Sequence, residues 1–256
     1  MIVKLSDPLL PSLIKVEVVR GGITVKSYDG SAVQIEQSDG DGIGTNKGEN
    51  RQDGGIVAGP SVKEANNIVT ITSYTMEFPI NFIITVPRHT SLVLSAVNQG
   101  DITVSNVEGE VEANNVNGAV TLNNISGDVV AHSLNAAVRV SLTKVDKQKP
   151  MAFSSMNGTV DVTFPSDLRA DLSLQSGQGK IYSDFDIQLQ QHGSETITAD
   201  NAGGDGKYQV KTSKTIYGTI NGGGPEIQFK NFMGNIYIHK GEPTNKSDPP
   251  VTLPKN

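Results

Sequence analysis

The stretch that decides the fold is GDITVSNVEGEVEANNVNGAVTLNNISGDVVAHSLNAAVRV, residues 100–140. Read in steps of nine, it repeats itself. Gly100, Gly109, Gly118 and Gly127 are nine apart, and Ala136 takes the next place. Two residues on come Ile102, Val111, Val120, Val129 and Val138; two further come Val104, Ala113, Leu122, Ala131 and Val140. Three beyond those come Val107, Val116, Ile125 and Leu134, and the columns between are mostly Asp, Glu, Thr, Ser and Asn.

The pair of apolar positions two apart puts alternate side chains on one face of a strand. The step of three that follows breaks the alternation and predicts a bend there. Asn106, Asn115, Asn124 and Ser133 occupy that place. Asn suits it because it tolerates the left-handed conformation and its side chain bonds nearby backbone. The glycine column is expected at the second corner for the same steric reason.

A strand this short cannot bury an apolar face alone, so such repeats stack on one another into a continuous core. Two nonads make a flattened coil of 18 residues and three a triangular one of 27; the reading leans to the former. Weaker copies occur at Gly21-Ile23-Val25-Tyr28, Gly158-Val160-Val162, Gly179-Ile181, Ile227-Phe229-Phe232 and Gly234-Ile236-Ile238. Longer strands are expected at 14–19, 67–74, 81–86 and 91–97. Residues 40–66, rich in Gly, Asp, Asn and Lys, read as a long loop, and residues 242–256 as a flexible polar tail. The expectation is an all-β fold with little helix: one parallel β-solenoid or β-roll domain over residues 1–241, built on the nine-residue repeat.

Composition narrows the function classes. The 256 residues include 27 Gly and 12 Pro, no Cys and no Trp. Without Cys there are no disulfides, thiolate metal sites or cysteine nucleophiles. A net charge of -6 argues against nucleic acid as a partner, because phosphate binding needs a basic face. No apolar run approaches the ~18–20 residues that cross a bilayer as a helix. The N-terminus MIVKLSDPLLPSL does not read as a signal peptide, which fits either a cytosolic chain or a mature form with its leader removed.

The chemical motifs test poorly. A calcium-binding nonad needs a second Gly and a column of Asp, yet the acid column reads Asp101, Glu110, Ala119, Asp128, Ala137. In SDGDGIGTNKGEN, Asp39 and Asp41 resemble the first ligands of an EF-hand, but Asn50 stands where its bidentate Glu belongs. His89, His132, His192 and His239 form no metal-binding spacing, and His132 reads as a solvated surface residue. Glu108, Glu110 and Glu112 alternate near Asp101 and Asp128, and an approach of Glu110 to Asp101 would make a carboxylate pair. They read instead as outward positions that keep a strand face soluble and its edges from pairing. Phe78, Phe82, Phe229 and Phe232 read as core, and Tyr74, Tyr182, Tyr208 and Tyr217 as surface candidates for a carbohydrate contact. No residue is assigned a catalytic, cofactor-binding or metal role, and no cofactor is expected.

The segments GGITVKSYDGSAVQIE, NFIITVPRHTSLVLSAVNQGDITVSNVEGEVEANNVNGAVTLNNISGDV, FSSMNGTVDVTFPSDLRADLSLQSGQGKIYSDFDIQL and INGGGPEIQFKNFMGNIYIHKG together resemble the bacterial putative-adhesin family of β-strand-repeat proteins. That family is related to the head domains of auto-transporter-like adhesins, and the resemblance covers residues 15–241. It implies a β-solenoid or β-roll, export, and a place in the periplasm or on the cell surface. It transfers no catalytic residue. The expectation is a non-enzymatic adhesin or scaffold module with a surface glycan or envelope protein as partner. The alternatives are a polysaccharide lyase or glycosidase on a β-helix, and a self-assembling filament.

Overall fold

The computed structural model describes residues 1–39, 60–76, 78–146, 149–190, 208–210 and 215–243. These form strands and turns and no helix. In chain order the strands are β1 (Ile2–Lys4), β2 (Ser12–Arg20), β3 (Ile23–Tyr28), β4 (Ala32–Asp39), β5 (Ser61–Ala65), β6 (Ile68–Ser73), β7 (Ile80–Pro87) and β8 (Thr90–Asn98). The repeat region holds β9 (Ile102–Ser105), β10 (Val111–Asn115), β11 (Val120–Ser126), β12 (Val129–Ser133), β13 (Val138–Lys144), β14 (Met151–Ser155) and β15 (Val160–Phe164). The remainder are β16 (Ala170–Ser176), β17 (Ile181–Ser183), β18 (Gln188–Leu189), β19 (Tyr208–Val210), β20 (Ile216–Ile220), β21 (Glu226–Asn231) and β22 (Ile236–Lys240).

They make two eleven-stranded sheets among the described residues. One runs β1-β4-β7-β3-β9-β11-β13-β15-β22-β17-β19, the other β18-β20-β16-β21-β14-β12-β10-β8-β2-β6-β5. Consecutive strands from β8 to β17 alternate between the sheets, and each pairs in parallel with strands of neighbouring passes. One strand in each sheet is here called a coil. Ile102 lies opposite Val120 and Val120 opposite Val138, while Val111 lies opposite Val129. The register is therefore eighteen residues in both sheets, or two nonads. It lengthens to twenty-two where Val138 meets Val160.

Two coils sit out of sequence order. The first, β2–β3, lies between β6–β7 and β8–β9. The last, β21–β22, lies between β14–β15 and β16–β17. Antiparallel strands close both ends: β4 then β1, and β5, at one; β19, and β20 then β18, at the other. These edges are short, which limits pairing with other chains.

One hydrophobic cluster fills the space between the sheets. Ile102, Val104, Val120, Leu122, Val138 and Val140 from one sheet face inward, as do Val111, Ala113, Val129 and Ala131 from the other. Burying each large aliphatic side chain contributes about 1.5–3 kcal/mol. Toward one end, aromatics take over: Phe153 stacks on Phe229 at 5.3 Å, and Phe164 meets both edge-on at 5.9 and 6.2 Å.

The bend column splits into two kinds of corner, because alternate nonads leave opposite sheets. Asn106 and Asn124 are exposed and left-handed, with φ of 60° and 53°, and the Asn124 amide donates to Asn106 at 3.2 Å. Asn115 and Ser133 end strands of the other sheet and are buried. Asn115 accepts the Gly118 amide at 3.0 Å and donates to the Gly100 carbonyl of the neighbouring coil at 3.0 Å. Ser133, Ser155 and Asn231 repeat this bracket, donating to Gly118, Ala136 and Gly158 at 2.9, 2.9 and 2.8 Å. Each side chain thus satisfies a turn amide and a carbonyl of the next coil, groups that burial would otherwise leave unpaired. Just outside, exposed asparagines form a ladder: Asn157 donates to Asn135, Asn135 to Asn117 and Asn117 to Asn98, at 2.7, 2.6 and 2.5 Å.

The glycine column also differs from expectation. Gly127 has φ 142°, but Gly118 is not left-handed; a Cβ there would lie 1.9 Å from the Gly100 carbonyl oxygen. Close approach of one coil to the next, and not turn conformation, requires it.

Other expectations need correcting. Within the segment read as a loop over 40–66, Ser61–Ala65 is strand β5, antiparallel to β6, and residues 40–59 lie outside the described ones. As an edge strand it offers the core chiefly Val62, so its sequence SVKEA reads as polar. Phe82 and Phe229 are core as expected, but Phe78 and Phe232 are 45% and 50% exposed. Phe232 falls at a corner, its amide bonded to the Ser155 carbonyl, where side chains point out of the coil. Of the tail, residues 244–256 lie outside the described ones.

Candidate binding ledge on one sheet

Strand β22 reads IYIHK. Ile236 and Ile238 point into the core, so alternation turns Tyr237 and His239 outward. Beside it, Tyr182 of β17 lies opposite Tyr237. The two rings are parallel within 7°, with centroids 5.1 Å apart, near the strand separation of ~4.8 Å. Their common normal therefore runs from strand to strand. The His239 ring is parallel to Tyr237 within 6° at 6.0 Å. Tyr237 and His239 thus follow one another along the strand with parallel rings facing the same way, a wall behind which Tyr182 stacks on Tyr237.

The wall is braced. Asn235 donates to the Tyr237 hydroxyl at 3.0 Å, and His239 Nδ1 meets Asp184 Oδ2 at 2.9 Å. On the open side, Tyr237 lies opposite Asp161 and His239 opposite Thr163, while Arg139 and Ser141 follow on β13. Asp161 Oδ1 is 3.7 Å from His239 Nε2. The side chains of Asp161 and His239 are 41% and 37% exposed, so a ligand can reach both. Arg139 is exposed and forms no ion pair with a described residue. Asp and Thr are shorter than Tyr, so the outer part of the wall stands above this floor. The arrangement is a ledge, with an aromatic back and a floor bearing carboxylate, guanidinium and hydroxyl groups.

Tyr182 was legible as a surface candidate; Tyr237 was not singled out, although its outward place in an I-x-I unit was a usable signal. The other surface candidates do not join them. Tyr74 donates to Glu17 at 2.9 Å and Tyr217 lies on β20 of the other sheet. Tyr208 belongs to β19, and its side chain, like all of His192, lies outside the described residues. His132, expected to be solvated, is half-buried and bonded to Ser154 Oγ at 2.8 Å through the ladder of like positions.

The carboxylates considered for catalysis are dispersed. Asp101 and Glu110 precede strands of opposite sheets and do not pair: Asp101 accepts the Ala119 amide at 2.7 Å, and Glu110 binds Lys149. Glu112 accepts from Asn114 at 3.0 Å. Glu108 lies 3.2 Å from His89 and 3.8 Å from Arg88, which is held by Asp29 at 2.8 Å. Arg88 and His89, with Leu9, Leu10 and Tyr28, line a depression of about 360 Å³ whose charges neutralise one another. Asp128 is buried, and its Oδ1 has no hydrogen-bond partner among the described residues. Burial pushes its carboxyl pKa up, as do nearby Asp146 and Glu110, against the opposing effect of Lys149. Among the described residues no group of three or more His, Asp or Glu is placed to hold a metal ion. No helix among them is long and apolar enough to cross a membrane.

No protein-family model matches the chain, and no curated protein matches it. Among solved structures, the chain is similar to a putative cell adhesion protein from Clostridium sporogenes ATCC 15579. The two are 10% identical with a TM-score of 0.43, over 94% of this chain and 98% of that one.

Proposed function

We propose that the chain is a non-enzymatic binding module: a stiff parallel β-solenoid, exported to the bacterial cell envelope, that serves as an adhesion or scaffold element. The observation that carries this reading is the accessible ledge at Tyr237, His239 and Asp161, built on strands whose register holds over successive coils. Side chains on regular strands keep their positions better than those on loops, which suits recognition. The buried Asn and Ser brackets tie coil to coil and add stiffness. The short antiparallel strands at both ends disfavour end-to-end filament growth.

The enzymatic reading has one specific observation in its favour, the raised pKa of Asp128 beside Glu110 and Asp146. Burial of that carboxylate keeps it from a polymeric substrate, which argues the other way.

The test is retention of the purified chain on isolated envelopes of the source bacterium, with the polysaccharide fraction followed in parallel. Saturable retention with unchanged polymer length supports a binding module. New reducing ends or unsaturated sugar products would make it an enzyme, and absence of retention would remove the adhesion reading.

A further inference from the structure

We infer that the ledge takes a pyranose residue of a neutral polysaccharide, its C–H face on the Tyr237–His239 wall and its hydroxyls on Asp161 and Arg139; this rests on the binding-module reading above. A ring ladder alone stabilises a sheet through cross-strand contacts. It does not call for a half-exposed carboxylate and an exposed guanidinium at its foot, and those choose the ligand.

The charges exclude the simpler ligand classes. A phosphate or carboxylate on Arg139 would meet Asp161 on the adjoining strand, directly opposite in register. A cation drawn to Asp161 would meet Arg139 in the same way. A polyol uses both groups, because each hydroxyl both donates and accepts. Asp161 takes hydroxyl protons, and Arg139 offers its fork of N–H groups to hydroxyl oxygens. The wall adds selectivity for shape: a flat aromatic surface favours a ring with an apolar face over an open-chain polyol.

Dimensions agree. From the wall, Asp161 and Arg139 lie one and two strands away, a floor of about 10 Å at the usual strand spacing. That accommodates one sugar ring lying against the wall. Beyond Arg139, the register continues through Thr121 to Thr103; in the neighbouring row Ser141 lies opposite Thr163 and Asn123 opposite Ser105, with a register shift between β11 and β13 after Leu122. These short polar side chains make a low track leading away from the wall, along which further residues of the same polymer run across the strands.

The experiment uses intrinsic tyrosine fluorescence, which the absence of Trp leaves unobscured. The full chain is titrated with hexasaccharides of glucan, mannan and chitin type. At least one should bind saturably, and Tyr237→Ala and Asp161→Asn should each weaken it tenfold or more. Tyr237→Phe, which keeps the ring, should stay within threefold, and Tyr74→Ala at the far end should change nothing. Melting temperatures of the variants check that they fold, and heteronuclear NMR shifts at 139, 161 and 239 locate the sugar independently. Binding unaffected by Tyr237→Ala and Asp161→Asn would overturn the ledge and leave the module reading standing. Retention on envelopes without binding of any hexasaccharide would overturn the pyranose assignment alone. Loss of both would overturn both.

Discussion

The Ser133 hydroxyl donates to the carbonyl of Gly118 in the neighbouring coil at 2.9 Å, and the same oxygen accepts the Ala136 amide at 3.1 Å. One small side chain closes its own turn and fastens it to the next.

Removing such a bracket should cost more than its size suggests. Ser133→Ala strands a part-buried amide and a buried carbonyl and should destabilise by about 1–3 kcal/mol. Asn115→Ala, which also loses a contact to the Ala119 carbonyl at 3.4 Å, should cost at least as much. Asn117→Ala, on the exposed ladder, should stay within about 0.5 kcal/mol. Urea midpoints of the three variants check the order.

Gly118→Ala tests close approach against turn conformation. Its Cβ would lie 1.9 Å from the Gly100 oxygen, so the coils must separate locally. A loss of about 1–3 kcal/mol is expected, as for other overpacked sites. The reverse change, Ala136→Gly, relieves nothing in that column and should lower stability only slightly. Thermal denaturation of both variants distinguishes them.

Val120 is fully buried between Ile102 and Val138. Val120→Asp places an unpaired carboxylate where both neighbouring coils are apolar, at a cost of several kcal/mol. The variant should fail to melt cooperatively at the wild-type temperature, and an unchanged transition by circular dichroism would refute coil-on-coil packing.

Asp128 predicts a pH dependence. Its folded pKa is raised, mainly by burial, so the native state holds this proton more tightly than the unfolded chain. Its contribution is therefore most favourable below the unfolded value, ~3.9, and declines as pH rises through the raised folded value. Asp128→Asn removes that decline. At pH 7 it should raise the melting temperature. The gain should shrink toward pH 4, and melting curves across that interval test the sign.

How much of this was legible depended on sequence distance. Inward columns such as Ile102, Val120 and Val138 announce themselves because the same apolar choice recurs at a fixed step. The same regularity hid the difference between Asn106 and Asn115: nine residues separate them in a uniform repeat, but they leave opposite sheets, one into solvent and one into the core. Phe232 misled because its apolar column turns outward at that corner. The ledge was out of reach for another reason. Tyr182, Asp161 and Tyr237 become neighbours only because β22 inserts between β15 and β17, and no local pattern reports an insertion.

That insertion governs the order of assembly. Ribosomal synthesis delivers β14–β15 and then β16–β17 before β21–β22 exists, and domains begin folding while the chain is still emerging. Until residues 226–240 arrive, β16 and β17 have no parallel neighbour and the β15 edge stands open. The last coil thus completes both sheets at this end, and its arrival brings Tyr237 between Asp161 and Tyr182. If the ledge binds as proposed, its assembly is the last event in making the chain: one stalled before that coil fastens most of its core and lacks Tyr237 and His239.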